Sequence, residues 1–319
     1  MSRLAHETWD CMLPGPPSRN NAGSSDCTTS GLLAYGAGSS VSIIDTRSMQ
    51  LLTVLPMPPS TSSPSPSLAP FVTSVRWTPQ PLRRDILTHE PSNSHLILAV
   101  GDRQGRISLY DVRLKLLILK MDPTDPSKLL GIQDLCWIQS KPDSWILASI
   151  NGPSLLSLYN TSTGRCIWKY DASPEFFSCI RRDPFDARHF CVLGLKGFLL
   201  SAKLLGENED DVVIKERQIP INDSNELQRL ETVNFSAPAL GAFPNYLVKL
   251  CFSSQWKHIL FLSFPKELVV FDLQYETSLS SFGLPRGCGK FIDVVPDPDN
   301  ELIYCAHADG KLSIWRRKE

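Results

Sequence analysis

Six segments of this chain close on one short phrase: a hydrophobic run, an aromatic or aliphatic residue, then in most copies Asp, Asn or Arg. They are Ser42-Ile43-Ile44-Asp45, Ser108-Leu109-Tyr110-Asp111, Ser157-Leu158-Tyr159-Asn160, a degenerate Phe198-Leu199-Leu200-Ser201, Val269-Val270-Phe271-Asp272 and Ser313-Ile314-Trp315-Arg316. A unit that recurs along a chain cannot bury its apolar face alone, so neighbouring copies must stack. This repeat constrains the fold more than any bulk property does.

The best copies carry more than the phrase. Leu96 to Asp102 reads as a strand, Arg103-Gln104-Gly105 as a turn, and Arg106 to Asp111 as the next strand. Leu302 to His307, the turn Ala308-Asp309-Gly310 and Lys311 to Arg316 repeat the plan. A Gly between two β-rich runs supplies the positive φ that a tight hairpin needs. A further strand follows in places: Gln50 to Leu55, and Arg165 to Tyr170 after the turn at Gly164. An inner strand precedes several units: Val72 to Trp77, Ile132 to Trp137, Phe176 to Arg181, Leu247 to Phe252 and Phe291 to Val295. Four short antiparallel strands per unit, with the shorter intervals near the ~40–45 residues of a WD40 blade, specify an all-β, WD40-like propeller. Six units are visible. The first is expected to lack its inner strand and the last its outer one, which predicts an open or poorly closed ring.

The 319 residues suit one ring. A net charge of −1 gives no basic field for nucleic acid. No apolar run approaches the ~18 residues of a membrane span, and residues 1–20 lack the order of a signal peptide. Nine cysteines without a Cys-x-x-Cys pair read as reduced, mostly buried strand residues of a cytoplasmic protein. The 25 prolines exclude a mostly helical fold, and several lie with serines between Pro56 and Pro70. Such composition buries too little apolar surface to order itself. The expected plan is a flexible segment over 1–30 and a propeller over 31–319, with flexible inserts at about 56–70 and 206–241. Val212-Val213-Ile214 is read as a short strand inside the second insert.

No chemistry stands out. Gly31 to Gly38 holds three glycines without phosphate-loop spacing or a following helix, and reads as a strand ending in a turn. His307 has no Cys or His at zinc spacing. Asp183-Pro184-Phe185-Asp186 reads as a turn. A Ser/His/Asp set assembled in space stays open, although no Gly-x-Ser-x-Gly elbow suggests one. The pairs Arg83-Arg84, Arg181-Arg182 and Arg316-Arg317 read as solvated rim, and Glu207 to Asp211 as a solvated acidic run. Ser63-Pro64 and Ser65-Pro66 suit proline-directed phosphorylation or a passive loop. Trp77 and Trp137, at matching places in consecutive units, read as packing between blades rather than as a peptide-binding face. No catalytic, cofactor-binding or metal residue is assigned.

Gly31 to Gly36 with Val41 to Asp45, Ile132 to Trp137, Asp183 to Asp186, and Lys249 to Asp272 together resemble the WD repeat-containing protein 11 family. The opening Trp9 to Pro17 is similar to its plant members. The resemblance covers nearly the whole chain. It implies the N-terminal portion of a longer protein built from two propellers and a helical tail, and a seventh unit beyond the six. It further implies a complex that tethers endosome-derived vesicles at the trans-Golgi network. In animals it also implies links to ciliary signalling and to a transcription-factor partner.

The expected function is a non-catalytic protein-interaction scaffold, with tethering-complex subunits as partners. No small-molecule substrate, cofactor or nucleic acid is expected, and membrane contact is peripheral, through partners. Alternatives are an adaptor of another complex (a ubiquitin-ligase substrate receptor or a chromatin-associated protein), a truncated form without function, or an enzyme on a propeller scaffold.

Overall fold

The computed structural model describes residues 24–58, 70–79, 96–123, 130–141, 144–206, 208, 211–222 and 248–317. Among them there is no α-helix, and the strands form six antiparallel sheets in chain order. Blade one is β1 (Ser25–Cys27), β2 (Leu32–Ala37), β3 (Ser40–Asp45) and β4 (Gln50–Pro56). Blade two is β5 (Val72–Trp77), β6 (Ile97–Asp102), β7 (Ile107–Asp111) and β8 (Leu116–Met121). Blade three is β9 (Ile132–Lys141), β10 (Ser144–Asn151), β11 (Leu155–Asn160) and β12 (Cys166–Asp171). Blade four is β13 (Phe177–Arg182), β14 (His189–Gly194), β15 (Phe198–Leu204) and β16 (Val212–Gln218). Blade five is β17 (Lys249–Phe252), β18 (Ile259–Phe264), β19 (Glu267–Asp272) and β20 (Thr277–Gly283). Blade six has three strands, β21 (Phe291–Pro296), β22 (Leu302–His307) and β23 (Leu312–Arg316).

The first blade corrects an expectation. It does have an inner strand: Ser25, Asp26 and Cys27 pair with Tyr35, Ala34 and Leu33. The strand is only three residues long and polar, so no hydrophobic alternation announced it. These residues therefore leave the segment read as flexible over 1–30. In the second insert the short strand is longer than expected, because β16 pairs along the whole of β15 from Val212 to Gln218. The rest of that insert, 223–247, and most of the first, 59–69, lie outside the described residues.

The recurring Asp or Asn has a physical role. It ends the third strand and accepts backbone N–H bonds that close the turn into the fourth. Asp45 Oδ1 accepts from Arg47 N at 2.9 Å, Asp111 Oδ1 from Leu114 N at 3.1 Å, and Asn160 Oδ1 from Ser162 N at 2.9 Å. Asp272 Oδ1 accepts from Gln274 N at 2.7 Å and Tyr275 N at 3.1 Å. Each turn then places one residue at positive φ: Met49, Lys115, Gly164 or Glu276. Each is followed by a bulge between strands three and four. This is the hairpin in which a type I turn runs into a left-handed residue and a bulge. Where Ser201 replaces the acid in blade four, β15 runs on to Leu204 instead.

The core is divided. One apolar cluster lies between each successive pair of blades, from one and two through to five and six. Inner strands β1, β5, β9, β13, β17 and β21 contact one another in that order. No described strand of blade six makes extensive contact with blade one. Instead Val295, Leu312 and Ile314 of blade six stand 54%, 73% and 64% exposed.

Candidate functional site

Three features could carry function: a belt of charge on the inner strands, a histidine relay in a cleft, and the apolar rim.

Asp134 of β9 is the centre of the belt, and its side chain is fully buried. It accepts from Arg76 of β5 (Nη2 to Oδ1, 2.8 Å), from Arg181 of β13 (Nη1 to Oδ2, 2.6 Å), and from Ile180 N at 3.1 Å. Arg76 also donates to Leu135 O at 3.0 Å and lies 3.7 Å from Asp26 of β1. Further round, Lys249 of β17 lies 3.7 Å from Asp293 of β21. Ion pairs of the belt thus join blades one to four in succession and, further round, blades five and six. Burial pushes the Asp134 carboxyl up, but Arg76, Arg181 and the Ile180 N–H outweigh it and hold it below the usual range. Burial draws Lys249 below the ordinary ammonium range, with Asp293 opposing and Arg181 adding to the shift. Arg181, expected on the rim, is corrected to this belt. It sits on an inner strand, where a guanidinium needs a carboxylate.

Trp77 and Trp137 stand where expected, buried between blades. Trp77 Nε1 donates to Asp26 O at 3.1 Å, and Trp137 Nε1 to Arg76 O at 3.1 Å. Each indole therefore ties its inner strand to that of the preceding blade.

The cleft between blades four and five, about 640 Å³, brings together a Ser/His/Asp set. His189 Nδ1 lies 2.9 Å from Asp183 Oδ2, and Nε2 lies 2.8 Å from Ser201 Oγ. A carboxylate can only accept, so Nδ1 donates to Asp183, and in the neutral ring Nε2 then accepts from the Ser201 hydroxyl. Burial pushes the Asp183 carboxyl up, but His189 and the Phe185 N–H at 2.8 Å hold it below the usual range. Ser201 lies mid-strand, paired with Cys191 and Lys215 on either side. Its backbone is committed to the ladder and does not form the sharp turn that exposes a nucleophile over an oxyanion hole. The relay instead clamps the turn 183–189 to the sheet. Blade six repeats the device: His307 Nδ1 donates to Gly289 O at 2.8 Å, and Nε2 accepts from Ser313 Oγ at 2.8 Å. In the cleft, Lys203 pairs with Asp186 at 2.6 Å, and Arg217 with Glu276 across the two blades.

The other candidates fall to structural roles. Gly31 and Gly38 take positive φ in turns. The Arg182 guanidinium stacks 5.3 Å over Trp145, and that of Arg317 stacks 5.1 Å over Trp256. Asp211 caps its own turn through Asn208 N. Arg83, Arg84, Ser63, Ser65, Glu207, Glu209 and Asp210 lie outside the described residues. Among the described residues no group of three His, Cys, Asp or Glu side chains could hold a metal ion.

The rim is the third feature. Outer strands normally show water a polar face. Here β4 exposes Leu52 and Val54, and β8 exposes Leu116 and Ile118, from 41% to 57%. Between blades five and six an apolar groove of about 520 Å³ is floored by Phe261, Leu279, Phe282 and Trp315. Exposed apolar surface of this kind marks interaction sites.

A propeller with committed inner polar groups and an apolar rim is a WD-repeat protein-interaction scaffold. More narrowly, the chain belongs to the WDR11 first beta-propeller family, whose model matches residues 15–319. It is 24% identical to WD repeat-containing protein 11 of Mus musculus over 325 residues, covering 96% of this chain and 25% of the relative. The Homo sapiens protein of the same name is 23% identical over 324 residues, with the same coverage. The chain thus spans about a quarter of the length of the curated relatives it matches. A chain in the crystal structure of a mitotic checkpoint complex shares the fold, with a TM-score of 0.64 and 14% identity over all of this chain and 83% of that one.

Proposed function

We propose that this chain is a non-catalytic scaffold that gathers the subunits of a vesicle-tethering complex in endosome-to-trans-Golgi traffic. It would work in the cytoplasm and meet membrane only through its partners. The observation that carries the binding part is the apolar rim: Leu52, Val54, Leu116 and Ile118 stand exposed on the outer strands of consecutive rigid blades. The traffic part rests on the relatives. Partner-binding surface on a rigid scaffold is the arrangement that interaction domains use. The Asp183–His189–Ser201 relay supports the non-catalytic reading, since its serine is held within a ladder.

Affinity capture of the tagged chain from cells, with mass spectrometry of what it retains, tests the proposal. Subunits of a tethering complex are expected. Recovery of ubiquitin-ligase or chromatin components in their place would assign the scaffold elsewhere and overturn the traffic role.

A further inference from the structure

The outer strand of a blade leaves one edge of its backbone unpaired, and proteins guard such edges with charge, proline or other polar residues. Four outer strands here follow that rule. β4 carries Thr53 and ends on Pro56, and β12 exposes Lys169 and Asp171. β16 runs Lys215-Glu216-Arg217-Gln218, and β20 is built on Ser278, Ser280 and Ser281. β8 departs from it: Leu116-Leu117-Ile118-Leu119 is an unbroken apolar run on the last strand of blade two. The bulge beside Ile118 is no special guard, since blades one, three and five carry the same bulge.

The run points in more than one direction. Leu117 packs on the cluster shared with blade one, and Leu119 and Met121 belong to the cluster shared with blade three. These contacts hold the strand from both sides. Leu114, Leu116 and Ile118, at alternate positions, stand 66%, 57% and 51% exposed. No described strand pairs with the far side of β8. The edge is therefore preformed, and binding there costs little ordering of this chain.

Charge is uneven along the strand. At its Met121 end, Lys120 is paired with Asp122 at 3.3 Å. At its turn end, Asp111 is engaged by Leu114 N, and Arg113 and Lys115 have no carboxylate partner among the described residues. All strand pairs in blade two are antiparallel. We infer that the β8 edge binds an extended segment of a partner protein, which adds to blade two as a fifth, antiparallel strand. Its apolar side chains, at alternate positions, lie against Leu114, Leu116 and Ile118. Carboxylates at its C-terminal end meet Arg113 and Lys115. Backbone hydrogen bonds supply affinity and the side chains supply selectivity, as in strand addition generally. A second copy of this chain fits less well. In a two-fold pair of β8 edges, Arg113 and Lys115 would meet the other copy's Lys120, whose Asp122 is already engaged.

This inference deepens the partner-binding reading above and rests on it. The probe is a capped, fluorescein-labelled peptide, Thr-Val-Thr-Val-Thr-Val-Thr-Asp-Glu, titrated into the full chain and followed by anisotropy. Saturable binding is expected. Moving the two acids to the N-terminal end should weaken it roughly 3–10-fold. Two N-methylated peptides, one blocked at every valine and one at every threonine, test the strand geometry. Alternate N–H groups of a strand point to opposite edges, so one should bind like the parent and the other not at all. The double variant Leu116→Glu and Ile118→Glu should abolish binding while melting within a few degrees of wild type, because both side chains are more than half exposed. Arg113→Glu with Lys115→Glu should weaken the parent peptide and favour one ending in two lysines. No binding of the parent, or equal binding of the two methylated peptides, would overturn the inference. So would a concentration-dependent dimer that the double variant abolishes, or β8 amides all protected from hydrogen exchange in the free chain. If the peptide fails while affinity capture still recovers partners, the β8 edge is wrong and the scaffold stands.

Discussion

Replacing Asp134 with Ala should destabilise the propeller more than any exposed charge substitution. Its carboxylate is fully buried and joins blades two, three and four. Removal leaves the Arg76 and Arg181 guanidiniums facing each other and the Ile180 N–H unsatisfied. Breaking one side of a buried ion pair costs about 3–5 kcal/mol, which includes such orphaned groups. Taking about 4 kcal/mol, and about 2.1 cal/mol/K of unfolding entropy per residue over 319 residues, the melting temperature should fall by roughly 6 °C. Calorimetry on matched samples reads this directly. The triple variant Arg76→Met, Asp134→Leu, Arg181→Met should recover most of the loss, because apolar side chains of similar volume need no partner. A melt of Asp134→Ala within a degree of wild type would show that water or a rearranged partner satisfies the arginines. The belt would then not be a structural tie.

The acid limb of stability should reflect the same carboxylates. Asp134 and Asp183 are held below their unfolded range, so their contribution is complete above about pH 4 and is lost as pH falls through their folded values. Asp134→Asn should flatten that limb in pH-dependent melts, and an unchanged limb would refute the assignment. Trp137→Ala should cost about 3–5 kcal/mol by denaturant melts, since the indole is 4% exposed and bonds across blades; a shift within error would return this residue to the surface. Lys115→Gly should raise stability by about 0.5–1 kcal/mol, because Lys115 sits at φ 55° where the equivalent turn of blade three uses Gly164. A lower melting temperature would mean that the Lys115 side chain makes a contact worth more than the strain.

The fold was largely legible because its repeat unit is local. The phrase ending in Asp or Asn marks a turn built from that residue's own carboxylate and the next few N–H groups, so the signal lies within a few positions of chain. Inner strands such as Val72–Trp77 announced themselves by an apolar run closed by tryptophan. β1 did not, since three residues with a polar centre carry no periodicity and its pairing with β2 decides it. The belt was equally hidden. Arg76, Asp134 and Arg181 interrupt apolar strands, which is a weak hint of buried charge. Their partnership spans more than a hundred residues and appears only when the blades stand side by side. The Asp183–His189–Ser201 relay is local, with contacts 6 and 12 positions apart, but it needed the register of β14 with β15 to set His189 against Ser201.

The central claim is that this chain acts through the outer surface of a rigid propeller. It is tested most directly by quantitative affinity capture of two tagged chains from the same cells. One is wild type, and the other carries Leu52→Glu, Val54→Glu, Leu116→Glu and Ile118→Glu on the exposed rim. All four side chains are 41–57% exposed, so the two chains should melt within a few degrees of each other. The account predicts that wild type retains a defined set of partner proteins and that the rim variant loses part of that set while remaining folded. A folded rim variant that retains every partner in full would contradict it.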